Sequence, residues 1–364
     1  MKVTLVAGAR PNFMKIAPMI HEIIRVAANG QQISYRLIHT GQHYDRSMSE
    51  KFFEELNIPE PSLNLGAGGG TQAEQTGAVM VGFEKELAAH RPDLVIVVGD
   101  VTSTLACSIV AKKAGVKVAH VEAGIRSGDL SMPEEINRMV TDSITDYFFT
   151  TSEVANDNLR TLGVIEDKIF YVGNTMIDTL VSNLPKLRKP SFFDGFGLEE
   201  KKYLVLTMHR PANVDEQNHL MESLSIIAEN VKGLPVIFPV HPRTKKVLED
   251  LNFNIDVIKT VPPLGYLEFN YLVKHSAGVI TDSGGITEET TFLGIPCLTL
   301  RDNTERPETI TVGTNELVGT NPKSIPGYLQ KLFAGEWKKG GIPDLWDGQT
   351  AKRIIDSLVS LKTS

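Results

Sequence analysis

Short apolar runs alternate along this chain with longer stretches of helical period. In the first half the runs predict strands at Val3–Ala7, Tyr35–Thr40, Leu94–Val98, Val116–Val121 and Tyr147–Thr150. Between them the spacing predicts helices over Phe13–Val26, Ser47–Leu56, Ala73–His90, Ser103–Ala114 and Glu134–Ile144. The second half repeats the alternation, with strands expected at Leu204–Thr207, Val236–Val240, Asp256–Ile258, Val279–Thr281 and Cys297–Leu300. Near-continuous apolar strands joined by helical crossovers belong to parallel sheets covered on both faces. The fold class expected is therefore α/β, two doubly wound Rossmann-like domains whose strand carboxyl ends face a cleft.

The Pro, Gly and charge cluster from Leu184 to Pro190, followed by Asp194-Gly195-Phe196-Gly197, breaks the period and marks an inter-domain region. Ile169–Val172 also reads as a strand, which moves the boundary back to about Gly173. The expected domains are 1–172, carrying acid/base residues, and 173–349, carrying a nucleotide loop. Thr350–Leu361 predicts a C-terminal helix, and 350–364 is a segment that can pack back on the first domain.

Composition narrows the classes. The 364 residues suffice for two domains, and 41% hydrophobic with 22% charged residues is ordinary for a globular chain. A net charge of −7 argues against a general nucleic-acid binder but leaves local phosphate sites open. Cys107 and Cys297 lie in apolar settings and read as buried free thiols, as in a reducing cytoplasm. No Cys/His cluster has zinc spacing, so no metal is expected. The N-terminal apolar run reads as a first strand and is too short for a signal peptide, and no run reaches membrane-spanning length. The localisation expected is cytoplasmic, without nucleic-acid or membrane partners.

Candidate chemistry gathers just after the predicted strands. Thr281-Asp282-Ser283-Gly284-Gly285 joins a strand to a helix start, where free N–H groups and the helix dipole favour an anion. It also reads as a plain tight turn with a Ser N-cap. Glu288 and Glu289, one turn further, suit a ribose. Gly8-Ala9-Arg10 after the first strand is neither a Gly-x-Gly-x-x-Gly nor a Walker loop, which speaks against NAD, FAD or P-loop binding. Gly66-Ala67-Gly68-Gly69-Gly70 reads as a connection before a helix. Arg10, Lys15, Asp100, Glu122, Arg126, His209, Arg210 and His241 all follow strand ends, where Arg and Lys suit a diphosphate and carboxylates suit proton transfer. Structural readings stand beside these: a solvated helix-start pair for Arg10 and Lys15, a helix cap for Asp100, an ion pair with Arg126 or Arg138 for Glu122, and a satisfied loop histidine for His209. Glu134 and Glu135 after Pro133 fit ordinary helix-start chemistry. The charged loop Arg301 to Glu308 suits a ligand contact or a domain-closing network.

Taken in order, several segments resemble the non-hydrolysing UDP-N-acetylglucosamine 2-epimerases over nearly the full length. They are Gly8-Ala9-Arg10-Pro11-Asn12-Phe13-Met14-Lys15, Thr40-Gly41-Gln42-His43-Tyr44-Asp45, and His120-Val121-Glu122-Ala123-Gly124-Ile125-Arg126-Ser127. Further segments are Pro133-Glu134-Glu135-Ile136-Asn137-Arg138, Thr207-Met208-His209-Arg210, Asp282-Ser283-Gly284-Gly285 and Thr304-Glu305-Arg306-Pro307-Glu308. The resemblance implies a GT-B-like fold, a homodimer, and interconversion of UDP-N-acetylglucosamine and UDP-N-acetylmannosamine with no cofactor, through UDP elimination to 2-acetamidoglucal. It implies Asp100, Glu122 and Glu134 as acid–base groups, with Lys15 and Arg138 placing the substrate. Arg10, His209, Ser283, Gly284, Gly285 and Arg306 would hold the diphosphate, Glu289 the ribose, and Phe269 would pack near the uracil.

The chain departs from the family at Pro211-Ala212-Asn213-Val214-Asp215 and at Asp45, positions that belong to an allosteric substrate site in some relatives, so substrate activation is not expected. The sequence leaves two other activities open. One is a 2-epimerase of UDP-2,3-diacetamido-2,3-dideoxyglucuronate; the other is a UDP-sugar glycosyltransferase on the same fold.

Overall fold

The computed structural model describes residues 1–41, 53–214, 216–240, 242–251 and 253–363. The chain divides into two compact units, Met1–Ser182 with Asp344–Ser364, and Asn183–Pro343. The division thus falls later than residue 172, because the helix after the last strand of the first sheet stays with that sheet.

The first unit is built on seven parallel strands: β1 (Lys2–Ala7), β2 (Ser34–His39), β3 (Leu63–Asn64), β4 (Leu94–Val98), β5 (Lys117–Val121), β6 (Tyr147–Thr150) and β7 (Ile169–Tyr171). Their order is β3-β2-β1-β4-β5-β6-β7. The helices around them are α1 (Arg10–Ala28), α2 (Gln72–Ala89), α3 (Thr102–Lys113), α4 (Pro133–Ile144), α5 (Glu153–Thr161) and, after the last strand, α6 (Thr175–Asn183). Strand alternation divides the core between the two sheet faces. Val3, Leu5, Leu94, Ile96, Val98, Ala119 and Val121 pack with α1 residues Ile16, Ile20 and Ile23. Val6, Val95, Val97 and Val118 point the other way, onto Val79 and Phe83 of α2 and Cys107 and Val110 of α3. The C-terminal helix Thr350–Thr363 adds Ala351, Ile354, Ile355 and Leu358 to the α1 face. Its N-terminus is held by the Asp178 carboxylate, which accepts from the N–H groups of Thr350 (3.0 Å) and Ala351 (2.7 Å).

The second unit has six parallel strands: β8 (Leu204–Thr207), β9 (Val236–Pro239), β10 (Ile258–Val261), β11 (Gly278–Thr281), β12 (Cys297–Thr299) and β13 (Asn315–Leu317), in the order β10-β9-β8-β11-β12-β13. Its helices are α7 (Pro211–Val214), α8 (Gln217–Asn230), α9 (Pro242–Asp250), α10 (Tyr266–His275), α11 (Gly284–Leu293), α12 (Pro307–Thr311) and α13 (Ile325–Ala334). Leu204, Leu206, Phe238 and Ile280 pack on α8 and α13, while Val205, Ile237, Val279 and Cys297 pack on α10.

The strand expected at Asp256–Ile258 begins instead at Ile258, since Asp256 and Val257 form the preceding turn. Both cysteines are buried and free, and burial raises both thiols, that of Cys297 to about 11. No helix among the described residues is long and apolar enough to cross a membrane. Nor is any group of three or more His, Cys, Asp or Glu among them placed to hold a metal ion.

Candidate active site

Both sheets reverse their strand order next to their first strand, between β1 and β4 and between β8 and β11. The loops leaving the carboxyl ends there are where open α/β sheets bind ligands.

In the first unit α1 starts immediately after β1. The Asn12 side chain ties that junction to its neighbour: Oδ1 accepts from the N–H groups of Gly8 (3.1 Å) and Ala9 (3.0 Å), and Nδ2 donates to the Val98 carbonyl (3.0 Å). One turn on, Lys15 Nζ lies 2.6 Å from Glu122 Oε2, with the lysine side chain 12% and the glutamate 2% exposed. Lys15 is thus a partly buried ion-pair partner rather than a solvated helix-start residue. The register sets Val98 opposite Val121, so Gly99-Asp100 and Glu122 leave adjacent strands side by side. Glu122 sits at φ +71°, a left-handed conformation that costs a side-chain-bearing residue about 1 kcal/mol or more. Its N–H donates to the Phe149 carbonyl at 3.0 Å, which fixes that geometry from β6.

Asp100 does not cap α3, whose N-cap is Val101. Its carboxylate pairs with the Arg138 guanidinium, and its carbonyl accepts from Asn137 Nδ2 at 2.8 Å. Arg138 also pairs with Glu135 (2.8 Å), which accepts from the Ser127 N–H and hydroxyl. Glu134 is half-buried in the same first turn of α4. Behind these groups, His120 Nε2 donates to the Gly99 carbonyl (2.8 Å) and Nδ1 meets Asp142 Oδ1 (2.7 Å). Asp142 Oδ2 accepts from the Gly124 N–H (3.0 Å) and pairs with Arg126 (2.7 Å). Burial pushes the Asp142 carboxyl upward, but His120 and Arg126 outweigh it and hold it below the usual carboxylate range.

In the second unit the register sets Thr207 opposite Thr281, so Met208-His209 and Asp282-Ser283 leave together. Asp282 is fully buried and accepts from the N–H groups of His209 and Arg210, both at 2.9 Å, and from Asn213 Nδ2 at 3.0 Å. His209 Nδ1 lies 2.7 Å from Asp282 Oδ1, while 58% of the imidazole side chain stays exposed. Here too burial raises the carboxyl, and the His209 contact with the backbone donors brings it below the ordinary value.

Ser283 is the N-cap of α11 and makes no side-chain cap bond. Gly284 and Gly285 are helical, with no positive φ. A Cβ on Gly284 would stand 3.6 Å from Arg301, an ordinary contact, and one on Gly285 would meet nothing within 4 Å. Neither backbone strain nor internal packing therefore demands these glycines. Glu289 is buried on α11, receives Asn270 Nδ2 at 3.2 Å, and is raised to about 7, chiefly by burial. Phe269, on α10, packs partly buried on the second unit's core. The charged loop is internally paired: Arg301 grips Glu305 with two bonds (2.8 and 2.9 Å), and Arg306 pairs with Glu288 of α11.

The first unit thus brings Lys15, Asp100, Glu122, Glu134 and Arg138 to neighbouring loops. The second brings His209, Ser283, Gly284 and Gly285 to one strand-end pair, with Glu289 further along α11 and Arg306, the N-cap of α12, paired to Glu288 of α11. The side chains of Arg10 and Arg243 lie outside the described residues, as do Gln42-His43-Tyr44-Asp45, Asp215, His241 and residues 47–52 of the helix expected at Ser47–Leu56. Asn12, Asp142 and Asn213 had no role assigned from the sequence. Asn12 had a signal, an Asn in the first turn after Pro11; the others find their partners only through the fold.

Two Rossmann-like units with polar loops at both switch points define an α/β enzyme of the two-domain, GT-B-like kind. The sequence profile described as UDP-N-acetylglucosamine 2-epimerase matches residues 25–359. The chain is 44% identical to the UDP-N-acetylglucosamine 2-epimerase of Methanocaldococcus jannaschii, over 98% of each chain. It is 41% identical to the UDP-2,3-diacetamido-2,3-dideoxy-D-glucuronate 2-epimerase of Pseudomonas aeruginosa, over 99% of this chain and 100% of the other. The crystal structure of the M. jannaschii enzyme in complex with UDP-GlcNAc and UDP superposes with a TM-score of 0.87 at 41% identity, covering 99% of this chain and 100% of that one. The chain belongs to the UDP-N-acetylglucosamine 2-epimerase family, a family of isomerases.

Proposed function

We propose that this chain interconverts UDP-N-acetylglucosamine and UDP-N-acetylmannosamine by elimination and re-addition of UDP. The C2 proton of such a sugar has no adjacent carbonyl to acidify it. In an elimination a base takes that proton while the C1–O bond breaks, UDP leaves with the bonding pair, and 2-acetamidoglucal remains. Protonation of C2 from the other face and attack of a diphosphate oxygen on C1 complete the inversion. The route needs carboxylates at C2 and an electrostatic hold on the leaving diphosphate.

The observation that carries this reading is the pair of cation-held carboxylates, Asp100 with Arg138 and Glu122 with Lys15, at adjacent strand ends. Asp100, Glu122 and Glu134 serve as the acid–base groups, and Lys15 and Arg138 place the substrate. Arg10, His209, Arg306 and the N–H groups at Ser283, Gly284 and Gly285 hold the diphosphate. Glu289 meets the ribose, and Phe269 the uracil. The same reading assigns a cytoplasmic homodimer; a monomer in sedimentation equilibrium would remove the second part.

The deciding experiment is incubation with UDP-N-acetylglucosamine in deuterated water without an acceptor. Deuterium at C2 and a UDP-N-acetylmannosamine product are expected. Binding without exchange would defeat the proposal, as would release of free sugar and UDP. The P. aeruginosa relative, at 41% identity against 44%, favours a second reading in which the sugar is the diacetamido-glucuronate. Thr304-Glu305-Arg306-Pro307-Glu308 argues for the simpler sugar, and running both substrates in parallel tests that choice.

A further inference from the structure

His120 lies in β5 with its side chain fully buried, two residues before Glu122, and both ring nitrogens are engaged. A carbonyl oxygen only accepts, so the 2.8 Å contact to Gly99 places a proton on Nε2, and Nδ1 is left facing the Asp142 carboxylate. Through Gly99 the ring holds the backbone next to Asp100. Gly99 is otherwise anchored by its N–H on the Val121 carbonyl (3.0 Å), and its φ of +68° gives it the freedom to turn there. A Cβ at Gly99 would stand 3.3 Å from Lys15 Nζ and 3.7 Å from Glu122 Oε2, so this peptide forms a wall of the Lys15–Glu122 pair.

Through Asp142 the same ring reaches the loop after β5. The second carboxylate oxygen accepts from the Gly124 N–H and pairs with Arg126, fixing the segment that Glu122 opens. Gly124 has no room to shift toward α5, since even a Cβ there would come within 2.3 Å of the Ala155 carbonyl oxygen. One chain of contacts, Gly99–His120–Asp142–Gly124, therefore spans the two loops that carry Asp100 and Glu122.

We propose that His120, backed by Asp142, is a positioning residue that sets the spacing of Asp100 and Glu122, and that the proton-transfer steps at C2 depend on it. It touches no substrate; it acts through the Gly99 peptide and the Gly124 loop. The inference rests on the assignment of those two carboxylates as proton-transfer groups, and a displacement of even about 1 Å in such groups lowers turnover by about a hundredfold.

The test compares His120→Leu, His120→Gln and Asp142→Asn with the unaltered protein, using C2-protonated and C2-deuterated UDP-N-acetylglucosamine. In His120→Leu, kcat is expected to fall by about a hundredfold, with KM and UDP affinity changing less than about threefold. The kinetic isotope effect on kcat should rise as the proton step becomes slower. His120→Gln keeps a donor for the Gly99 carbonyl and should recover at least a tenth of the activity, and Asp142→Asn should fall between the two. A folded His120→Leu protein with kcat within threefold of normal would overturn the proposal, as would an unchanged isotope effect. Failure of all three variants to fold would also overturn it, in favour of a purely structural role. Absence of C2 deuterium exchange in the unaltered protein would instead defeat the underlying epimerase reading, so the two failures are distinguishable.

Discussion

Each unit contains a histidine–aspartate pair closed at 2.7 Å, and the two pairs do different things. In the first unit both partners have fully buried side chains, and the ring spends its second nitrogen on a backbone carbonyl. In the second unit the aspartate is equally buried, but it collects the backbone of His209 and Arg210 and leaves 58% of the imidazole side chain exposed. The same two side chains thus make a clamp in one place and a presented ring in the other. What differs is where the histidine stands: His120 is inside a strand flanked by neighbours on both sides, and His209 lies two residues past a strand end.

The largest effect should come from the carboxylates that the clamp serves. Asp100→Asn or Glu122→Gln is expected to lower epimerisation by about 10³-fold or more while UDP still binds by calorimetry. Near-normal turnover in both would remove the purpose of the clamp. Next, truncating the two histidines should separate the pairs by stability. His120→Ala removes one of the partners of the buried Asp142 carboxylate, which keeps Arg126 and the Gly124 N–H, and takes the His120 donor from the Gly99 carbonyl, and should cost about 2 kcal/mol in urea unfolding, whereas His209→Ala should cost less than about 1 kcal/mol because water replaces its contacts. Equal losses would erase the distinction.

Glu289 is a buried carboxyl shifted in the opposite direction. Its partners are Asn270 and Tyr266, and burial raises it to about 7. The linkage therefore runs opposite to that of Asp142 and Asp282. Their depressed carboxyls contribute stability above the usual carboxylate range, lost as pH falls through the folded-state values. The Glu289 contribution is full in acid and is lost as pH rises from about 4.5 through about 7. Glu289→Gln should gain on the unaltered protein between pH 5 and pH 8 by up to about 3 kcal/mol, measured by denaturant unfolding across that range. Parallel curves would contradict it. Smallest is Gly285→Ala, where the added methyl meets open space. Stability should hold or rise slightly, while UDP affinity falls about tenfold if a diphosphate approaches that helix start. Unchanged affinity would return Ser283-Gly284-Gly285 to the status of a plain turn.

The strands with continuous apolar runs, such as Leu94–Val98 and the Leu204-Val205-Leu206 part of β8, were legible because burial on both faces leaves no polar position there. The edge strands were harder. Leu63–Asn64 and Asn315–Leu317 are two and three residues long, so no apolar run announces them, and Ile258–Val261 has a partly exposed lysine and an exposed threonine between its buried ends, so the strand expected at Asp256–Ile258 was placed too early. At the site, the residues after strand ends could be read because chain order alone places them on one edge of each sheet. Their partners could not. Asp142 lies twenty-two positions from His120 on a helix with an ordinary polar face, and only the packing of α4 beside β5 brings them together. Arg126 likewise offered Glu122 as a plausible neighbour in sequence, yet its ion pair is with Asp142.

The docking of the last helix on the first sheet bears on the order in which the molecule is made. Ala351, Ile354, Ile355 and Leu358 complete a core whose other members include Val3, Leu5 and Ile16, from the opposite end of the chain. A ribosome delivers strands β1 to β7 before this helix, yet part of one face of their sheet stays open until residues 350–358 emerge. The second unit, encoded in between, holds all its own strands and can close while the first is still waiting. The first unit is therefore interrupted by the second, and a nascent chain stalled before residue 350 would carry a folded second unit and a first one still lacking part of its core.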